Sequence, residues 1–229
     1  MNSFAAVLVI VVAASLLWWW QRQNAGWLRR ARQNKMRELL PLLDGGSFVD
    51  RPGDFPAVAG GYGGHEALIE LITDSIAVRK LPALWLIITI KAALPTAGAF
   101  GVMNRPQNTE YWSPFDRLPD HLPKPAHWSV PANLRARGAE GPRLAAYVEP
   151  HLDFLGSVGS KEILIMPGGV RMTMLAEEGD RASYLVGRQE VFSSDPVAAT
   201  AALDMLRRCN AIIGRVRQSA GQGDADGKS

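Results

Sequence analysis

Four histidines, one cysteine and a run of closely spaced glycines are the residues with the plainest chemical uses in this chain of 229 residues. Gly60, Gly61, Gly63 and Gly64 stand just before His65 and Glu66. Glycines can bring backbone N–H groups onto a phosphate, but no Gly-Lys-Ser/Thr follows and no dinucleotide spacing is present. They read instead as a tight turn into a strand. Asp116, Asp120, His121 and His127 carry oxygen and imidazole donors. Two histidines six apart in an irregular stretch match no metal-ligand spacing, so these read as surface polar groups. Cys209 could act as a nucleophile with His151 or His65 as its base. It falls on the apolar stripe of a helix, which makes it a core thiol. Arg171 and Arg188 could face an anion from adjacent strands, or form exposed pairs with Glu177 or Glu190. Gly-x-Ser-x-Gly, HExxH and paired-cysteine spacings do not occur. The sequence therefore assigns no catalytic residue, no cofactor and no metal.

The elements begin with an apolar run. Residues 4–20 read FAAVLVIVVAASLLWWW, with no charge. Seventeen residues at about 1.5 Å each give a helix near the lower limit for crossing a bilayer. The run predicts a transmembrane helix, with Trp18, Trp19 and Trp20 at the membrane interface. Residues 21–43 form a basic flank with six Lys or Arg and one acid. Arg22, Arg29, Arg30 and Arg32 extend the interface, and Pro41 ends a helix leaving the membrane. Positive flanks stay inside. The expectation is a single-pass protein of a bacterial inner membrane, amino terminus outside and carboxyl-terminal domain cytoplasmic.

The flank carries +5 of a total formal charge of +3, which leaves residues 44–229 slightly acidic. The basic character is local, so a nucleic-acid partner is not expected. A single cysteine excludes an intrachain disulfide. Residues 44–217 are enough for one α+β domain with a real core. Residues 44–53 read as a loop. Strands are expected over 65–80, where helical spacing also fits, and over 84–90, 99–104, 161–166, 170–177 and 183–192. The last three suggest an antiparallel meander. Residues 142–155 suggest a short helix. Asp195 and Pro196 are suited to start a final helix, whose stripe is Ala199, Ala202, Leu206, Cys209 and Ile213. This helix should cover one face of an antiparallel sheet. Residues 218–229 read as a disordered tail.

Residues 105–143 hold seven of the fifteen prolines and four aromatics: Tyr111, Trp112, Phe115 and Trp128. Proline interrupts ladders and helices, so the segment is irregular. Its aromatics either pack on the domain or bind a partner, and they are the partner-binding residues assigned from the sequence. The functional expectation is a non-catalytic scaffold, assembly or regulatory subunit that binds membrane lipid and another protein at the membrane. The alternative is a membrane-bound enzyme acting on a lipid-linked or small acyl substrate.

Overall fold

The computed structural model describes residues 3–51, 53–75, 81–107, 110–187 and 190–226; within these, the side chains of 3–10, 21–25, 185–187 and 222–226 lie outside the description. Nine strands form one antiparallel sheet: β1 (Asp44–Val49), β2 (Ala57–Tyr62), β3 (His65–Asp74), β4 (Ala83–Lys91), β5 (Ala99–Asn104), β6 (Asp120–Leu122), β7 (Ala132–Arg137), β8 (Ser160–Met166) and β9 (Gly169–Glu178). Their order across the sheet is β1-β2-β3-β4-β9-β8-β5-β7-β6. The hairpin β8–β9 thus lies between β4 and β5, which precede it in the chain.

Period-2 alternation makes the strands and divides the sheet into two faces. Ala67, Ile69 and Leu71 of β3 point to one face with Leu84, Leu86, Ile88 and Ile90 of β4. Register brings Leu86 opposite Met174, Ile88 opposite Met172 and Ile90 opposite Val170. Over this face lies α5 (Ala199–Asp226), which contacts β4 and β9, beside α2 (Gly141–Val148) and α3 (Leu152–Gly156). Ala202, Met205, Leu206, Cys209, Ile212, Ile213 and Val216 form the buried stripe of α5. Full burial of a large apolar side chain contributes roughly 1.5 to 3 kcal/mol, so this stripe is a principal tie between helix and sheet. The opposite face is covered by the chain between β5 and β6. There Ala99, Met103, Phe115, Leu118 and Leu164 form a second, smaller core. Gly101 permits the approach: a Cβ there would come within 2.6 Å of Leu164 and 2.9 Å of Phe115.

Helix α1 (Ser3–Met36) continues without a break from the apolar run into the basic flank. Among the described residues, no helix is long and apolar enough to cross a membrane. The described apolar side chains of the run are Val11–Trp20, about 15 Å of helix, roughly half of a hydrocarbon core. This overturns the transmembrane helix and the single-pass architecture. It also overturns the inner-membrane location and the outside-to-cytoplasm orientation, because a positive flank orients only a chain that crosses. The side chain of Arg22 lies outside the described residues, as do those of residues 4–10.

The end of the flank belongs to the domain. Lys35 pairs with Glu177 and donates to the Ser193 carbonyl at 2.9 Å. Met36, Leu39 and Leu43 are buried, and Pro41 sits inside a 3-10 turn, Arg37–Leu42.

Other expectations change for local reasons. Residues 44–49 are strand β1, not loop; Gly45 takes φ +64° at its irregular start. Residues 105–143 include β6 and β7, so the segment is only partly irregular. Residues 142–155 are two helices separated by a 3-10 turn holding Pro150. In place of the strand expected over 183–192 stands α4 (Arg181–Gly187). Asp180 starts it, accepting the Ser183 N–H at 2.7 Å. Arg188 lies outside the described residues, as do residues 76–80 of the strand expected over 65–80. Asp195 does not cap α5, because the Val197 N–H donates to the Lys35 carbonyl at 2.9 Å and the helix begins at Ala199. The expected disordered tail is helical through Asp226.

Candidate functional site

The strands of an antiparallel sheet alternate in direction, so the last residues of β3, β9 and β5 meet the first residues of β4 and β8 at one edge. Asp74, Glu178 and Asn104 end their strands there; Ala83, Ser160 and Lys161 begin theirs. A cleft of about 430 Å³ opens at this edge. Trp85 and Leu175, cross-strand partners, contribute its apolar surface. Val158, 94% exposed, stands at its margin.

From β5 the chain leaves the sheet through Arg105, whose φ of +45° is the one positive value among the described residues other than glycine. It stands before Pro106, where backbone freedom is already narrowed, so the conformation is strained. Residues 110–118 then cross the sheet as a strap. Four polar ties hold it. Tyr111 donates its hydroxyl to the Thr73 carbonyl at 2.6 Å. The Trp112 carbonyl accepts from Arg171 Nη2 at 3.1 Å. Ser113 donates to Glu162. Glu110 pairs with Lys161 at 2.6 Å, and both side chains are 5% exposed or less. The Trp112 ring lies 5.4 Å from that of Trp85, tilted by 39°.

A β-bulge makes this network possible. Ser160 pairs with Met174 and Glu162 with Thr173, so Lys161 is the extra residue. Two consecutive side chains can then serve the same strap. Glu162 is wholly buried, and burial raises its pKa to about 7 against the opposing pull of Ser113, Arg171 and Thr173. Burial also works against ionisation of Glu110. There the Lys161 ammonium and the Gln107 N–H prevail and hold the carboxyl below its ordinary range. Lys161 also donates to the Arg105 carbonyl at 2.9 Å, closing the loop from cleft to strap.

The residues assigned to partner binding separate here. Trp112, Phe115 and Trp128 are buried, and Tyr111 alone of the four is exposed, at 54%. Trp128 donates its Nε1 to Glu149 at 3.3 Å. Three of the four aromatics of the proline-rich segment thus pack inward.

The other candidates lie apart. Gly63 and Gly64, at φ +58° and +80°, form the turn joining β2 to β3, as an entry into a strand requires. His65 accepts from Arg217 at 3.2 Å. His151 is buried against α5, where burial and the nearby Arg208 and Arg215 lower its pKa. Cys209 is fully buried and its thiol is pushed up by that burial. Asp116 faces Arg135 at 3.4 Å, His127 faces Glu149 at 3.0 Å, and Asp120 and His121 lie on the edge strand β6. Among the described residues, no group of three or more His, Cys, Asp or Glu is placed to hold a metal ion.

Sequence reasoning missed Lys161, Glu162, Glu110, Ser113 and Trp85. Two charged residues heading an apolar strand were the available signal. A strict alternation would send them to opposite faces, and only the bulge brings them to one.

A second surface lies far along the chain. Val11, Val12, Leu16, Leu17, Trp18, Trp19 and Trp20 on α1 are each 50 to 61% exposed. Arg30 and Arg37 are exposed farther along the same helix and the turn that follows it. No family model, no curated protein and no solved structure matches this chain.

Proposed function

We propose that the protein is a non-catalytic scaffold or regulatory subunit that engages another protein through α1. The observation that carries this reading is the exposure of Val11–Trp20. Seven large apolar side chains are 50% exposed or more on one continuous helical stretch. Monomeric surfaces rarely leave so large an apolar area open, and tryptophan is the residue most enriched where binding energy concentrates. The exposed basic residues that follow, Arg30 and Arg37, add charge complementarity. The partner's chemistry is an apolar groove with an acidic margin.

A photo-crosslinking residue placed at Leu17 tests this, with the same residue at exposed Val158 as control. The expected result is a discrete adduct with a second polypeptide from Leu17 and none from Val158. Arg30→Glu should weaken that adduct. Adducts equal at both positions, or with a second copy of this chain alone, would overturn the reading.

A further inference from the structure

We propose that the cleft at the strand ends binds a short peptide with free amino and carboxyl termini and an apolar side chain between them. The site is independent of α1. Its volume of about 430 Å³ falls within the range of small-ligand sites. Its charges are segregated. Asp74 and Glu178 stand at one end, at the level of Ala83, while Arg105 stands at the other, at the level of Ser160. Between them lie Trp85 and Leu175.

Among the described residues, the neighbouring charges leave Glu178 and Arg105 without an ion pair. Lys161 is neutralised by Glu110. The Asp74 carboxylate accepts Trp85 Nε1 at 3.4 Å. A cleft with an open carboxylate at one end and an open guanidinium at the other complements a ligand that carries an ammonium and a carboxylate.

Register sets the length of that ligand. From Glu178 to Arg105 the backbone path crosses two strand spacings and three residue steps. That amounts to about 14 Å between Cα atoms. The reach of the two long side chains shortens the gap to the span of a di- or tripeptide, at roughly 3.3 to 3.6 Å per residue. A single amino acid, with its ammonium and carboxylate on one carbon, cannot meet both ends. Trp85, Leu175 and Val158 supply apolar contact for the middle residue.

Calorimetry on the full chain tests the proposal with four probes: Ala-Leu-Ala, its N-acetyl form, its C-terminal amide, and free leucine. The expected result is saturable binding of Ala-Leu-Ala, weakened at least tenfold by either cap, with leucine binding more weakly than the tripeptide. Arg105→Gln should remove the discrimination against the amide, and Glu178→Gln that against the N-acetyl form. Both residues are exposed, so both variants should melt as the parent does. Absence of heat with millimolar Ala-Leu-Ala would overturn the proposal. So would equal binding of the capped forms, or leucine binding as tightly as the tripeptide.

Discussion

Lys161 and Glu162 are consecutive in β8, yet both reach the strap, Lys161 to Glu110 and Glu162 to Ser113. The bulge that permits this also places a fully buried carboxyl next to a buried ion pair. The first prediction follows from that carboxyl. Its folded pKa is about 7, against an ordinary glutamate value near 4.5. Between those values the unfolded chain releases its proton and the folded chain keeps it. The contribution of Glu162 to stability is therefore greatest below pH 4.5 and falls as pH rises to 7. The loss is of order 3 kcal/mol. Chemical denaturation of Glu162→Gln, whose amide still accepts from Ser113, should lack this component of the pH slope. Identical slopes in the two proteins would show that the carboxyl is not held protonated.

The Lys161–Glu110 pair makes a second prediction. Replacing one member leaves a buried charge alone, so Lys161→Met should destabilise by about 3 to 5 kcal/mol. Adding Glu110→Leu should recover much of that loss. A double-mutant cycle measures the coupling, and strictly additive losses would mean that the two charges do not act as a pair.

The strap tryptophans and the α1 tryptophans should behave in opposite ways. Trp112→Ala and Trp128→Ala should each cost about 3 to 5 kcal/mol in thermal or denaturant unfolding. Trp19→Ala, at a side chain 58% exposed, should leave the melting temperature within a degree or so. Early melting of Trp19→Ala would place that ring against the domain.

On α5 the contrast is between adjacent positions. Leu206 is fully buried and Arg207 exposed. Leu206→Ala should cost about 2 to 5 kcal/mol, and Arg207→Ala less than about 0.5 kcal/mol. Equal losses would mean that the helix presents another face to the sheet.

Cys209 gives a probe of opening. Its thiol is buried and held protonated, so a thiol reagent should label it only when α5 leaves the sheet. Labelling at neutral pH should accelerate with denaturant in step with unfolding. Rapid labelling of the native protein would contradict the packing of the helix.

The elements legible in the sequence are those whose pattern is local. Ala67, Ile69 and Leu71 alternate with Glu66, Leu68 and Glu70, and β3 appears where they do. Ala202, Leu206, Cys209 and Ile213 recur at helical spacing, and α5 buries them. What was not legible depends on distant partners. Ala132, Leu134 and Ala136 face inward along β7, but prolines on both sides obscure so short an alternation. Tyr184 is mostly buried in a helix that Asp180 initiates, although its surroundings are rich in strand-forming residues. The apolar run before Trp20 read as a membrane span because its composition was taken without the unbroken helix it belongs to. The cleft was invisible because its residues, from Asp74 to Glu178, meet only through the sheet order.

That order also constrains how the chain can assemble during synthesis. Strands β1 to β4 emerge as one ladder and β5 to β7 as another, and each has an apolar border strand, β4 or β5, with nothing yet to pair with. Only the hairpin β8–β9 closes the gap, and its strands are the last of the nine to be made. Until then two unsealed borders rich in Leu, Ile, Phe and Val are open to mispairing. The hairpin acts as a keystone. Its long-range pairings, from Met103 to Glu162 and from Leu86 to Met174, must wait for slow closure of large loops. A ribosome stalled before Ser160 would therefore hold two half-sheets that cannot yet become one.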